Sequence, residues 1–324
     1  MSPPAVQAEH LMLIHRIQDR EVVALRGLDL EIAAGETVAL LGPSGAGKSS
    51  LMALLAGLLR PSAGRVIVAG TSLGALSERE LLAFRRAKVG VLLQNPARNL
   101  LPYATATENL MFPQRGTDRG RRERTERSRA LLASVGLGAH ARSSVRSLSG
   151  GEQQRLGLAV SVVNGPPVLL ADEPTSQLDR ASSERIAELL TQTRDEFGTT
   201  VVVVTHDREL ADRFDRSIAI RDGRVGAEVR RGETFAVVGR DGSVQLPPEV
   251  RADLPPGSLA AVIRRPWGIE LRRAAADGSG PAPSDPAASN PTPSDPATSD
   301  PAPSDPAPSD PATSDPAASD PEQT

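Results

Sequence analysis

The chain has 324 residues, which is enough for one large domain or two ordinary ones with a substantial buried core. It contains no cysteine, so disulfides, thiolate metal sites and cysteine nucleophiles are excluded, and a reducing compartment is the natural setting. The net charge is −3, and residues 281–324 contribute −8 of it, with seven Asp, one Glu and no basic residue, which leaves +5 for the remainder. This mild excess does not predict nucleic-acid binding.

The N-terminus, MSPPAVQAEHLMLIHRIQDR, lacks the basic start and unbroken apolar run of a secretion signal. No stretch approaches the roughly 20 apolar residues that are needed to span a bilayer. We therefore expect a soluble chain whose membrane role, if it has one, depends on a partner.

Short apolar segments alternate with helical patterns through the first two thirds of the chain. The segments TVALL, VLLQ, VLLAD and VVVVTH begin at residues 37, 91, 168 and 201, and each is bounded by turn residues and followed by a helical pattern. This arrangement predicts buried parallel strands of an α/β domain. Amphipathic patterns around Ser77–Lys88 and Arg119–Val135 predict a helical insert, which we place at about residues 77–163.

The segment after TVALL predicts a phosphate-binding loop. Residues 42–49 satisfy the pattern G-x-x-x-x-G-K-[ST] between a strand and the apolar helix SSLMALLAGLL. Backbone N–H groups and the helix N-terminus then face the anion, Lys48 contacts the β- and γ-phosphates, and the Ser49 hydroxyl binds Mg²⁺. The predicted nucleotide-binding residues here are Gly42, Pro43, Ser44, Gly45, Ala46, Gly47, Lys48, Ser49 and Ser50.

A second helix start follows in the segment LSGGEQ. Ser149 and Glu152 are spaced as in a capping box, and Gly150 and Gly151 leave room for another group to approach. From these residues alone a plain helix cap is the simpler interpretation.

The strand VLLAD leads into two adjacent carboxylates, Asp172 and Glu173. At the C-terminal end of a strand beside the phosphate loop, Asp172 is expected to hold Mg²⁺ through water and Glu173 to polarise the attacking water. Adjacent strand residues point in opposite directions, so the two roles should differ.

In their order and approximate spacing, these motifs resemble the ATP-binding cassettes of ABC transporters across residues 10–226. The resemblance implies a P-loop NTPase core with an ABC-type β-subdomain and a helical insert. It also implies binding of ATP and Mg²⁺ and hydrolysis of ATP. Within the family, the motif sequences are most similar to those of lipoprotein-release and macrolide-export cassettes. By resemblance the catalytic residues are Glu173 and His206, the Mg²⁺ ligands are Ser49, Gln94 and Asp172, Gln94 also contacts ATP, and Asp179 belongs to the D-loop.

The resemblance also implies partners. The helix start formed by Ser149, Gly150, Gly151, Glu152 and Gln153 would face ATP held by a second cassette in a homodimer or heterodimer. A transmembrane permease is the other implied partner, contacted by the segment Ala97–Leu110, in which Tyr103 is either an anchor or a packing residue. We expect a cytoplasmic location, peripheral on the inner face of the cell membrane through the permease, and no nucleic-acid partner.

The sequence departs from the family pattern at the position that stacks on the adenine base. The family usually places an aromatic residue against adenine, and here Ile17 stands at about that position, with His15 nearby. Because such stacking contributes about 1–3 kcal/mol in comparable contacts, weaker nucleotide affinity is expected.

An alternative function is a soluble ABC-type ATPase or regulatory protein that acts on a non-transport partner such as the ribosome or DNA. Relatives with those functions usually carry two cassettes in one chain, or long coiled-coil or zinc-binding inserts, and this sequence has neither.

The remainder of the chain predicts two further parts. Residues 227–275 contain ETFAVVG, DGSVQLP, LAAVIR and IELRR and predict a small β-rich module. It resembles the swapped-hairpin fold of transition-state regulators, which implies a dimerising or regulatory module. Residues 276–324 repeat Pro, Ala, Ser and Asp with a five-residue period and predict a disordered tail, either an acidic spacer or a docking segment.

Overall fold

The computed structural model describes residues 3–273 except 18–19, 231, 240–241, 248–249, 251–252 and 256–257. Contacts divide the chain into two compact units, residues 1–257 and 258–324, which are considered separately. The predicted tail at residues 276–324 lies outside the described residues. Within the described part of the chain, every helix falls short of the length and apolarity required to traverse a bilayer.

The first unit is built on a mixed sheet that positions the site. Its described strands follow the order β11-β10-β9-β3-β8-β7-β6. Strands β3, β6, β7, β8 and β9 run parallel to one another, and β10 and β11 continue the edge antiparallel. The bounds are β3 Thr37–Leu41, β6 Val89–Leu92, β7 Val168–Asp172, β8 Thr200–Val204, β9 Arg216–Arg221, β10 Arg224–Arg230 and β11 Glu233–Ala236.

The central strands read as unbroken apolar segments because both of their faces are covered. Alternate residues point into two separate clusters of buried side chains, so that Val202 and Val204 pack on one side of the sheet. Val201 and Val203 pack on the other side. This alternation is the two-residue period of a strand placed between two apolar layers.

A second, antiparallel sheet covers one side of the first unit. Its described strands follow the order β2-β1-β4-β5. Their bounds are β1 Val6–Ile17, β2 Arg20–Ile32, β4 Ala63–Val68 and β5 Thr71–Ser72. Leu13 and Leu25 of this sheet share one apolar cluster with Leu54. The sheet corresponds to the predicted β-subdomain.

Helices cover both sides of the mixed sheet, and many begin at side-chain caps. Ser77, Thr105 and Ser149 each form a capping box with a glutamate three residues later, and Asp179 caps the helix that follows it. The helices are α1 Lys48–Leu55, α2 Glu78–Lys88, α3 Ala106–Met111, α4 Arg121–Ser134, α5 Gly150–Val162, α6 Arg180–Phe197 and α7 Arg208–Ala211.

The structure differs from the predicted segment boundaries in three places. Strand β6 lies inside the segment 77–163 but pairs with β7, so the predicted helical insert is interrupted by a strand of the core sheet. The main sheet continues through β10 and β11 to Ala236, past the boundary predicted at 226, because these strands extend its edge as a hairpin. The segment DGSVQLP contributes only the isolated bridge between Val238 and Val244.

The described part of the second unit is a two-stranded antiparallel hairpin. Strand β12 spans Ala260–Arg265 and strand β13 spans Gly268–Arg273, joined by a tight turn. Both correspond to strands that the sequence predicts.

Candidate functional site

The loop between β3 and α1 has a backbone that requires glycine at two positions. Gly42 has a φ of 148° and Gly47 a φ of 99°. A Cβ atom would lie 2.1 Å from the carbonyl oxygen of Ile220 at the first position and 2.6 Å from that of Ala24 at the second. The predicted glycines are therefore needed both for chain direction and for close packing.

Lys48 and the start of α1 form a site for an anion. The Lys48 Nζ donates hydrogen bonds of 2.7 and 2.9 Å to the carbonyl oxygens of Gly42 and Pro43, which holds the cation over the loop. Helix α1 begins after Gly47 without a side-chain cap and without an acidic residue in its first turn. Its first N–H groups and its dipole are thus available to phosphate oxygens.

The carboxyl ends of three parallel strands bring the remaining predicted residues to the same edge of the sheet. Asp172 ends β7, Glu173 follows it, and His206 follows β8 after one residue. Partial burial raises the pKa of Asp172, the charge of Glu173 raises it further, and the nearby Lys48 opposes both effects. A hydroxyl and carboxylates beside a lysine form a donor set that suits a hard cation such as Mg²⁺.

Glu173 and His206 form a pair. The Nδ1 of His206 lies 2.9 Å from the Oε2 of Glu173, whose side chain is 15% exposed against 75% for His206. A hydrogen bond to Glu173 and the charge of that carboxylate raise the pKa of His206. Glu173 also has a φ of 46°, in the left-handed region, which is strained for a residue with a Cβ. The Glu173 N–H donates to the carbonyl oxygen of Val204 at 2.8 Å, which helps to hold this conformation.

Gln94 is exposed on the loop that follows β6. Asn99 organises that loop, because its Oδ1 accepts a 2.8 Å hydrogen bond from the Leu93 N–H and its Nδ2 donates to the Val91 carbonyl at 2.7 Å. This role of Asn99 was not predicted from the sequence. The turn-forming segment NPARN is the signal that was available.

The predicted signature segment starts α5 as a capping box. Both the N–H and the hydroxyl of Ser149 donate to the Glu152 Oε2 at 2.8 Å, and the Glu152 N–H donates to the Ser149 Oγ at 3.3 Å. Ser149 and Gly150 are exposed. Among the described residues, no hydrogen bond or ion pair joins this helix start to the phosphate loop.

Asp179 caps α6 and lies near the signature segment. Its Oδ1 accepts a 2.9 Å hydrogen bond from the Ser182 N–H, and this bond lowers the pKa of Asp179. A Cβ on Gly151 would lie 2.7 Å from the Ser182 Oγ, so the starts of α5 and α6 are close together. A side chain at position 151 would therefore have to displace the Ser182 hydroxyl.

Two further contacts were not predicted from the sequence. The His15 Nε2 lies 3.1 Å from the Oγ of Ser50 in α1, which places the imidazole beside the phosphate-loop helix. The side chain of Ile17 lies outside the described residues. The buried Gln154 of α5 donates a 2.9 Å hydrogen bond to the Pro174 carbonyl, so the signature helix is joined directly to the chain that follows Glu173.

Comparison with known proteins decides the family. The model of the family described as ABC transporter matches residues 25–176. The lipoprotein-releasing system ATP-binding protein LolD 2 of Caulobacter vibrioides is 40% identical over 225 residues, which cover 69% of this chain and 98% of that protein. The chain belongs to the ATP-binding subunits of ABC transporters. The predicted family, α/β fold class and ATPase subunit are therefore confirmed.

Two other matches define how much of the cassette is shared. The macrolide export ATP-binding/permease protein MacB of Rhodopirellula baltica is 43% identical over 70% of this chain, and the chain spans only 33% of its length. A solved ATP-binding cassette, a dimer in a post-hydrolysis state with ADP and phosphate, is 35% identical, with a TM-score of 0.65 over 71% of this chain and all of the other. These matches support the predicted cassette dimer and permease partner.

The cassette also has an apolar groove of about 470 Å³. It is lined by residues that follow α1, by residues of α2 and β6, and by residues that follow α3. Leu58, Leu82 and Phe112 line it and are 58%, 63% and 53% exposed. Tyr103, in the segment predicted to contact a permease, is 79% exposed. Its phenol ring therefore packs little against the part of the chain that the structure describes.

Proposed function

We propose that this cassette hydrolyses ATP in two sites, each shared between two cassettes, with Glu173 orienting the attacking water. The observation that carries the proposal is the grouping of Lys48, Asp172, Glu173 and His206 at the carboxyl edge of the parallel strands. The Mg²⁺ ion would be held by Ser49, Asp172 and Gln94 and, when bound, neutralise charge on the phosphate oxygens. The chain would act in the cytoplasm, on the inner face of the membrane.

The hydrogen-bond partners of Lys48 hold its ammonium group in position to bind phosphate. Its ammonium group is held by two loop carbonyls, Gly42 and Pro43, which are weaker partners than charged phosphate oxygens. Binding replaces these neutral carbonyl acceptors with ionised phosphate oxygens, which are stronger acceptors for the ammonium group. The loop is therefore preorganised for the anion, and the free energy of binding is not spent on ordering it.

Glu173 is suited to orient water because its position is fixed while its carboxylate remains near solvent. The strained backbone directs the side chain toward His206 instead of along the strand. His206 is mostly exposed, so it can leave Glu173 and turn toward the γ-phosphate when that group is present. The carboxylate is then free to accept a proton from the attacking water.

The exposed start of α5 supplies the part of the site that one chain lacks. Ser149 and the N-terminal N–H groups of α5 face solvent and can approach the γ-phosphate bound to a second cassette. Closure of the two cassettes and reopening after hydrolysis would deliver motion to the permease.

The apolar groove supports a permease contact. Leu58, Leu82 and Phe112 expose large side chains in one concave surface, which suits an apolar helical segment of a partner. The relatives are named for lipoprotein release and macrolide export, and we propose a transporter of that type. With the permease reconstituted, Leu82→Glu should abolish its stimulation of ATPase activity, whereas Val22→Glu, an exposed apolar residue on β2, should not.

Purified Glu173→Gln protein tests the catalytic proposal. Loss of the general base should lower turnover by about 10²–10⁴-fold while ATP remains bound, so dimers should accumulate with ATP. Glu184→Gln is the matched control, because Glu184 forms only an exposed ion pair with Arg180 on α6. Normal hydrolysis by Glu173→Gln would show that the assigned role of this residue is wrong.

A further inference from the structure

The hairpin of residues 258–273 has no interior of its own. None of its residues is buried, and the large apolar side chains Leu259, Val262, Trp267 and Ile269 are 67–76% exposed. By contrast, the strands of the cassette are buried over most of their length. Taken by itself, the two-stranded hairpin therefore does not form the packed layer that normally stabilises a small sheet.

The strand register separates the hairpin into two unlike faces. On one face, Glu270 lies between Arg265 and Arg272 and forms ion pairs of 2.9 and 2.6 Å with them. On the other face, Val262 lies opposite Leu271, with Ile269 next along the strand. The two arginines of this second face stand at its diagonal corners, Arg264 opposite Ile269 and Arg273 opposite Ala260, so their side chains can extend past the edge.

Physical chemistry predicts that the apolar face is covered in the folded protein. A two-stranded hairpin is marginally stable in water unless a further layer packs on it. Clustered exposed aliphatic and aromatic side chains of this kind mark an interaction surface. The polar face is already satisfied by its own ion pairs, so the apolar face is the one that needs a partner.

Two possible occupants fit poorly. The chain's own tail, residues 281–324, offers no apolar side chain larger than Ala apart from the Pro rings, so it cannot fill the spaces between Val262, Ile269 and Leu271. An anionic lipid surface would attract the arginines of the hairpin. However, the tail that follows carries a charge of −8 and would be repelled by the same surface.

A second copy of the chain fits both the chemistry and the family. In a dimer with a two-fold axis, the same surface of each copy forms the interface, so an aliphatic strip packs against an identical strip. The dimeric cassette that is 35% identical to this chain shows that two copies of such a domain come together. The tail sequence that follows each hairpin has a charge of −8, opposite in sign to the hairpin arginines.

We propose that two copies of this chain associate through the Val262, Ile269 and Leu271 face of the hairpin, independently of nucleotide. With the neighbouring Leu259 and Trp267, the exposed side chains of this face would bury on the order of 500 Å² per copy, near the lower limit for a specific interface. Such a dimer would keep the cassettes paired between ATP cycles. Closure around ATP then becomes a step within one assembly, at a high effective concentration.

Sedimentation of the full chain without nucleotide tests the proposal. The wild-type protein should have the mass of two chains, and Val262→Glu with Ile269→Glu should have the mass of one. Val22→Glu is the control and should remain a dimer, because Val22 is also exposed, at 48%, but lies on strand β2 of the cassette. A wild-type monomer, or a dimer that survives both glutamates, would refute the inference.

Site-directed crosslinking provides a second readout that does not depend on a destabilising charge. Because the chain has no cysteine, Leu271→Cys introduces a single thiol. A short bismaleimide should link two Leu271→Cys chains without ATP and should not link Val22→Cys chains. Failure to crosslink would refute the second copy as the occupant. Binding of wild-type monomer to phosphatidylglycerol vesicles, but not to phosphatidylcholine vesicles, would also refute it and would identify anionic lipid as the occupant.

The outcome is separable from the proposed catalytic cycle. Adding Glu173→Gln to the Val262→Glu, Ile269→Glu variant should restore dimers only when ATP is present, through the cassette faces. If ATP restores them but nucleotide-free wild type is monomeric, the hairpin inference fails and the catalytic proposal stands. If nucleotide-free dimers form but ATP never restores dimers in the hairpin variant, the reverse holds.

Discussion

Two helix starts, those of α1 and α5, differ in how much of a phosphate site one chain can complete. Helix α1 follows Gly47, has no side-chain cap, and is already accompanied by the ammonium group of Lys48. Helix α5 has a complete capping box, with Ser149 and Glu152 satisfying each other, and lies exposed. The first start needs only a nucleotide, whereas the second has no phosphate to meet until another cassette brings one.

The largest expected effect is the loss of ATP binding on substitution of Lys48, one of the two lysines of the chain. Lys48→Ala removes the side-chain cation that is held at the start of α1. Charge-assisted hydrogen bonds contribute about 1.5–3 kcal/mol, so ATP affinity should fall roughly 10- to 150-fold and turnover should be lost. Calorimetric titration with ATP and a phosphate-release assay measure both quantities.

Lys88→Ala is the control for that experiment. Lys88 ends α2 and is exposed, so its removal changes the net charge equally without touching the loop. Unchanged affinity in Lys48→Ala would mean that the α1 helix start is not the phosphate site, and the contrast between the two helices would lose its basis.

A smaller effect is expected at the second helix start. Ser149→Ala should lower stability by about 1 kcal/mol through loss of the cap. It should also lower turnover about tenfold or more, through loss of a donor to the phosphate of the partner cassette. Denaturant unfolding and steady-state ATPase measurements separate the two contributions.

Ser77→Ala provides the matched cap. Ser77 and Glu80 form the same capping box at α2, with no predicted nucleotide contact. The two alanine variants should lose similar stability, and only Ser149→Ala should lose turnover. Equal turnover in both variants would reduce the signature segment to a helix cap.

A third prediction concerns His15, near the start of α1, and the adenine base of ATP. The His15 imidazole lies beside Ser50, in the first turn of the helix that follows the phosphate loop. If the ring contacts the adenine, His15→Ala should weaken ATP affinity by several-fold, at the lower end of the 1–3 kcal/mol of base stacking. Turnover at saturating ATP should not change. His10→Ala is the control, since His10 lies on the same strand β1 but beside Asp29. An unchanged dissociation constant for His15→Ala would remove His15 from the nucleotide site.

The two helix starts also show what the sequence can and cannot predict. The phosphate loop was predictable because glycine spacing and flanking elements are local properties, and the structure requires glycine at Gly42 and Gly47 for steric reasons. The capping box at Ser149 was predictable for the same reason. The contacts of His15 with Ser50 and of Gln154 with Pro174 join segments distant in sequence, so no local pattern indicates them. Likewise, the continuation of the main sheet through β11 depends on edge pairing, which composition does not reveal.

The smallest expected effect is a titration that reports whether Glu173 and His206 are paired in solution. The bond to Glu173 raises the pKa of His206, so the pair stabilises the fold fully below the ordinary imidazole pKa, and this stabilisation is lost as pH rises through the raised value. In Glu173→Gln the His206 pKa should therefore fall toward its ordinary value. NMR titration of the four histidines, with His206→Asn for assignment, measures the shift. Adding ATP to Glu173→Gln should then move the His206 signal, because its partner becomes the γ-phosphate. An identical His206 pKa in wild type and Glu173→Gln would mean that the two side chains do not meet, and that the resting catalytic carboxylate is held by its backbone alone.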